Sequence, residues 1–160
     1  MSKSLLERFI AWAKRTPYFH LEGYMLRYWT RQPKPGRYIT SRLHHILRED
    51  TDRAHHDHPW GFVSLVLRGW YIERRPRRQN QHPALDDTEY VDTLRRPGSL
   101  MFRRATDRHK IIEVAPNGAV THCWFFGRDR RWGFHDPVRG WVWWRDYLDD
   151  YTTKTAEEEP

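Results

Sequence analysis

Apolar positions along this chain follow one period at the start and another afterwards. From Leu5 to Ala13 they recur helically, with Leu5, Leu6, Phe9, Ile10 and Ala13 on one face. Ser4-Leu5-Leu6-Glu7 reads as a capping box, in which the serine hydroxyl and the glutamate satisfy the first free N–H groups. Pro17 closes the segment. The pattern predicts an amphipathic helix that packs its apolar face onto the body of the protein rather than onto a membrane.

Beyond Tyr18 the pattern becomes strand-like. "YFHLEGYMLRYWT" is aromatic, Pro33-Lys34-Pro35-Gly36 is a turn, and "RYITSRLHHILRE" alternates with Ile39, Leu43 and Leu47 on one face. "GFVSLVL" is a short apolar run with β-branched residues, and Gly69 turns the chain into "WYIERR". A polar connection with two prolines covers residues 76–88, followed by the strand "EYVDTL" and a Pro97-Gly98 turn. "SLMFRRA", "HKIIEVA" and "AVTHCWFFG" are three further strands, the last two joined by Pro116-Asn117-Gly118, a hairpin signal. "RRWGFHDPVRGWVWWRDYLDDY" is too aromatic to float free and is expected to lie against the body. "TTKTAEEEP" is expected to fray.

Many short strands between Gly/Pro turns, after one helix, predict a mainly β sandwich or barrel. The expected organisation is one domain: an N-terminal helix over 1–17, a barrel over 18–126, an aromatic segment over 127–151 and a tail over 152–160. No internal repeat is visible.

Composition narrows the class. The 160 residues include nine Trp, eight Tyr and seven Phe, enough bulk for a core and a poor match to a disordered chain. Mean hydropathy is −0.95, and no apolar run reaches the length of a membrane span. Glu7 and Arg8 interrupt the first apolar stretch, which argues against a signal peptide. A single cysteine, Cys123, excludes an internal disulfide, so a reducing, cytoplasmic compartment is the expectation. The net charge of +7 favours anionic ligands, but no nucleic-acid motif accompanies it. Nucleic-acid binding is therefore expected to be weak and non-specific at most.

The candidate chemistry lies in "HHDHPWGFVSLVLRG", residues 55–69. Histidines two apart on a strand share a face, so His56 and His58 project together while His55 and Asp57 point away. Two imidazoles are half a shell for a divalent metal, which takes nitrogen donors at about 2.0–2.1 Å. Another strand must close it. His109 leads, with His122 and His45 in reserve. Glu73 is a further candidate donor, provided its strand face is inward. A competing reading is a barrel without metal, with His56 and His58 hydrogen-bonded to Asp52 or Asp57. Trp60 and Phe62 are expected to line the interior. Arg42, Arg68, Arg103 and Arg104 sit on or beside strands and are candidate grips for a carboxylate or phosphate.

These residues resemble a known family. "HHDHPWGFVSLVLRG" resembles the first metal motif of the cupins, and "RPGSLMFRRATDRH", with its Pro-Gly turn and later histidine, resembles the second. The resemblance implies a double-stranded β-helix barrel and matches His56, His58 and His109 to the metal histidines. It departs at Phe62, which stands seven residues before Gly69, where the family places a glutamate ligand. The chain is also similar to cupin-like proteins encoded by bacteriophages, which would put it in the host cytoplasm.

Three-histidine sites of this kind resemble those of cysteine-dioxygenase-like cupins, which use ferrous iron. The resemblance therefore implies a divalent transition metal, Fe(II) favoured, with Zn, Ni and Mn as alternatives. It implies an iron-dependent oxygenase acting on a small acidic molecule in a pocket lined by Trp60, Phe62, Arg68 and Arg103. The alternative is a non-enzymatic phage accessory protein that binds a ligand, a host protein or, weakly, nucleic acid. Small-molecule anions are the expected partners, with a homodimer as the expected assembly if the protein self-associates.

Overall fold

The computed structural model describes residues 3–21, 23–36, 38–50, 54–79, 89–127 and 130–149. The expected tail, Asp52 and most of the 76–88 connection lie outside the described residues.

Helix α1 spans Leu5–Ala13 and carries both halves of the capping box. Ser4 Oγ accepts from the Glu7 N–H at 3.3 Å, and Glu7 Oε2 accepts from the Ser4 N–H at 2.7 Å. Ile10 and Ala13 are buried in a cluster with Tyr28, Leu43 and Val120, flanked by Leu6 and Phe9. Leu5, expected on that face, is instead exposed.

Among the described residues eleven strands follow: β1 (Met25–Arg31), β2 (Thr40–Ile46), β3 (His55–His56), β4 (Gly61–Arg68), β5 (Tyr71–Pro76), β6 (Tyr90–Arg95), β7 (Leu100–Arg103), β8 (Lys110–Val114), β9 (Ala119–Phe126), β10 (Gly133–Asp136) and β11 (Gly140–Trp143). One antiparallel sheet has the order β1-β2-β9-β4-β7. Two smaller sheets, β11-β10-β3 and β6-β5-β8, complete the barrel. A β-bridge between His56 and His109 joins them. Ile46, Val66, Met101 and Ala119 from the first sheet pack against Tyr71 and Ile111 from the third. That apolar core fills the end of the barrel near Gly69. The result is mainly β: a cupin-like double-stranded β-helix barrel with an N-terminal helix and an aromatic C-terminal segment.

Strand β2 is buried on both faces, because α1 covers the outside of its sheet. Leu43 faces the helix, while Arg42, His44 and Ile46 face the barrel interior. Ile39 and Leu47, expected to share a buried face with Leu43, lie outside the strand and are exposed. The Pro116-Asn117-Gly118 turn does not make a hairpin. It carries the chain from β8 in one sheet to β9 in another, and β9 pairs with β2 and β4. The same turn residues serve either purpose, and the tertiary pairing decides. Gly69 makes the matching crossing from β4 to β5.

These two corners touch. Gly69 has φ +69°, and a Cβ built there would lie 2.1 Å from the Gly118 carbonyl oxygen. Gly23 has nearly the same dihedral, φ +66°, with nothing within 4 Å. Gly69→Ala should therefore cost roughly 3 kcal/mol or more in urea denaturation. Gly23→Ala should cost only the left-handed backbone penalty, about 1–2 kcal/mol. Equal losses would show that the contact between corners carries no weight.

Candidate metal centre

The three candidate histidines converge from two chain segments. His56 and His109 exchange both backbone hydrogen bonds, at 3.0 and 3.2 Å. On the other side β3 pairs with β10, Phe134 opposite His56. The His58 N–H donates to the Ala105 carbonyl at 2.9 Å, tying the histidine loop to the segment that leads to His109. That segment turns on Asp107, whose carboxylate accepts from the Arg104 N–H at 2.9 Å.

The imidazoles form a near-equilateral triangle, with centroid separations of 5.1, 4.9 and 4.9 Å. One nitrogen from each lies within 4.8 Å of the others. The closest approach is 2.7 Å, between His58 Nε2 and His109 Nε2. Two nitrogens bound cis to one ion at ~2.1 Å sit about 3.0 Å apart, so the spacing already suits a shared cation. The pair forms an N–H···N hydrogen bond. Exchanging it for a metal requires the donor ring to carry its proton on its other nitrogen, and a small separation of the rings. Three neutral nitrogens on packed rings fit a divalent transition metal.

Glu73 completes the geometry from behind. Its carboxylate is 2 % exposed, and Oε1 lies 2.9 Å from His109 Nδ1. A proton carried on Nδ1 would sit beside that oxygen and leave the His109 Nε2 lone pair facing the other two rings. The same carboxylate accepts from Arg95 Nε at 2.9 Å, Arg103 Nε at 3.1 Å and Arg103 Nη2 at 2.5 Å. Its acidity is set by competition. Burial alone raises the pKa, and the His109 and Arg103 contacts outweigh it, so the group is held well below the usual range. Glu73 is thus inward, but it lies behind a histidine rather than among the three nitrogens.

The other candidates are dispersed. His122 is on the helix side of its sheet, with Nε2 2.9 Å from Thr30 Oγ1 and its ring against Phe9 and Trp124. His45 Nε2 lies 3.2 Å from the Asn117 carbonyl. Phe62, where the resemblance to cupins leads one to expect a glutamate, places its ring 4.8 Å from that of His58 and 6.4 Å from that of His109. Trp60 packs on Phe125, next to Phe62. Arg103 is inward but committed to Glu73.

Arg68, expected in the pocket, points outside. Strict alternation from Phe62, Ser64 and Val66 would turn it inward, but a bulge between Val66 and Arg68 shifts the register and turns it to solvent. Asp57 does not bond His56 or His58. It is 2 % exposed and accepts from the Gly133 N–H at 2.7 Å, Arg130 Nη1 at 3.0 Å and Trp141 Nε1 at 3.2 Å. It thereby anchors the β10–β11 hairpin to the residue between two candidate ligands.

No protein-family model matches the chain, and no curated protein sequence matches it. Solved structures do. The hydroxypropylphosphonic acid epoxidase from S. wedmorenis superposes with a TM-score of 0.50 at 14% identity, over 72% of this chain and 56% of that one. The fold is that of the cupins. A structure from work on the DMSP lyases RdDddP and RnDddQII gives 0.50 at 11% identity, over 70% of this chain and 53% of that one. Peruvianin-I, a cysteine peptidase from Thevetia peruviana latex, gives 0.50 at 12% identity, over 81% and 75%. The chain spans about half the length of the first two. At these identities the likeness is one of architecture.

Two outcomes follow from the site. Glu73→Gln keeps the shape but leaves Arg95 and Arg103 without a counter-charge. It should lower stability by about 3–5 kcal/mol and metal affinity by about 10–100-fold, read by denaturation and by metal titration. Unchanged metal affinity would show that Glu73 does not orient His109.

The second outcome concerns pH. Burial first, then neighbouring positive groups, holds His44 and His58 well below the ordinary imidazole value. Burial also holds His55 to about 3 and His122 to about 4. The unfolded chain takes up protons below about pH 6.5 that the folded chain refuses, so stability falls as pH falls through that value. Each of the buried His44 and His58 contributes a slope of up to about 1.4 kcal/mol per pH unit. The contributions of His122 and His55 level off near 4 and 3. Urea midpoints of metal-free protein between about pH 7.5 and 5 would measure this, and a flat profile would contradict it.

Proposed function

We propose that the protein is a metal-dependent cupin in which His56, His58 and His109 hold a divalent transition metal, Fe(II) in preference to Zn, Ni or Mn, and that it is an oxygenase-type enzyme acting on a small acidic molecule. The observation that supports this reading is the convergence of three imidazole nitrogens within 4.8 Å with no carboxylate in the group among the described residues. Neutral donors leave the full charge of a dipositive ion in place, together with open coordination positions. An ion so bound would supply Lewis-acid and one-electron chemistry to an anionic ligand and to dioxygen.

The chain's own residues do the rest. Glu73 orients His109 and is itself held by Arg95 and Arg103. Phe62 presents an apolar ring to the rim where other cupins place a carboxylate, which keeps water off that side and strengthens attraction for an anion. Asp57 fixes the backbone between His56 and His58 through the β10–β11 hairpin.

The reading is tested by titrating Co(II) or Fe(II) anaerobically into chelator-treated protein. One equivalent should bind. His56→Ala, His58→Ala and His109→Ala should each weaken binding at least about 100-fold, while His55→Ala, whose ring stacks on Tyr90 at 5.1 Å, should bind normally. If all four variants behave alike, the site is not a metal centre and the non-enzymatic binding module takes its place.

A further inference from the structure

The barrel interior holds a second polar group on the wall opposite Glu73. Arg42 and His44 lie two apart on β2 and share its inward face. Arg42 is 3% exposed. Its guanidinium carbon sits 4.0 Å from the ring centroid of Phe125, 4.7 Å from Tyr18, and 5.1 Å from both Trp29 and Trp60. Among the described residues no carboxylate pairs with it; the Tyr18 side chain supports its charge, while Arg27 beside it has the same sign and opposes it. Arg42 Nε and His44 Nε2 are both buried without a hydrogen-bond partner.

A buried charge without a counter-charge costs several kcal/mol. Cation–π contacts return only about 0.5–2 kcal/mol each, and they leave the in-plane N–H of Nε unsatisfied. Arg103 shows the ordinary solution in the same barrel: it faces Glu73. Burial, ahead of Arg42 and Arg27, keeps His44 neutral at physiological pH, so it contributes a polar nitrogen rather than a second charge. The Phe125 ring lies 5.8 Å from His44 and 5.9 Å from Phe62, and Phe62 lies 4.8 Å from His58. A short apolar bridge therefore links this cluster to the three imidazoles.

We propose that Arg42 and His44 form an anion cradle for the carboxylate or phosphonate head of a small organic acid, whose other end reaches His56, His58 and His109 past Phe62 and Phe125. The missing counter-charge is then the ligand's own. The metal end of this assignment rests on the function proposed above, whereas the anion end stands on Arg42 and His44 alone. It also separates the interior arginines by role: Arg103 holds Glu73, and Arg42 holds the ligand.

The test uses full-length, chelator-treated protein, so it does not depend on a metal. Acetate and methylphosphonate are titrated by calorimetry against chloride at matched ionic strength. Wild-type protein should bind one of the two oxyanions saturably, and the tighter one identifies the head group. Arg42→Met should weaken that binding at least tenfold, while Arg68→Met, on the outer surface, should leave it unchanged. Because Arg42→Met opens the aromatic box, Arg42→Lys is made alongside. It keeps the buried charge but lacks Nε, and it should still lose several-fold in affinity, as should His44→Phe. Wild-type protein that does not distinguish the oxyanions from chloride, or Arg42→Lys and His44→Phe that bind as wild type does, would overturn the cradle. Co(II) titration of the same samples reports on the metal reading separately. Oxyanion binding without Co(II) binding would uphold the cradle and reject the metal.

Discussion

Two peptide groups, those of His56 and His109, hold the site's architecture together. Their paired hydrogen bonds, 3.0 and 3.2 Å long, splice two three-stranded sheets into the wall that faces the five-stranded one. The same bridge brings into register two residues more than fifty positions apart whose side chains share the barrel interior. Backbone pairing and the convergence of donors are thus one event. A slip of one residue in this bridge would send an imidazole to the outer face and would also unpair β8 from its neighbour. The position of the rings is consequently as firm as the barrel itself.

The interior charges follow from that wall. A carboxylate among the three nitrogens would neutralise much of a bound cation. Here the carboxylate stands one residue layer back, on β5, where it fixes a ring and in turn occupies two guanidinium groups. Glu73, Arg95 and Arg103 together carry one net positive charge, and Arg42 adds another across the barrel. That sign agrees with the small acidic ligand proposed above. The apolar filling at the Gly69 end, where Ile46, Val66 and Ala119 pack, does not include these groups.

Local pattern revealed those parts of the molecule that local pattern controls. The capping box located α1. The period of two placed His56 and His58 on one face, and the Pro-Gly turn with its later histidine supplied His109. What escaped depended on pairing between distant strands. Glu73 could be placed behind His109 only once β5 was registered against β8, where a further irregularity falls between Ile72 and Glu73. Arg68 left the interior because of a single bulge, which leaves no trace in the alternation of apolar residues. Arg42 was one of four candidate arginines with nothing to single it out, and His44 was missed, because β2 is covered on both sides and its inward residues do not alternate with solvent-facing ones. Pro116-Asn117-Gly118 carries the chemistry of a hairpin and serves instead as a corner between sheets.

The hairpin anchored by Asp57 has a consequence for the order in which the molecule is made. The outer edge of β3 is covered by β10, which begins at Gly133, and the carboxylate between His56 and His58 finds its partners at Arg130, Gly133 and Trp141. A chain emerging from the ribosome folds its early elements first, yet the histidine loop waits for segments synthesised some eighty residues later. Nascent chains therefore leave that strand edge uncovered until β10 has been made. A chain cut before Arg130 would keep the three histidines in its sequence and lack the groups that hold the Asp57 carboxylate between them.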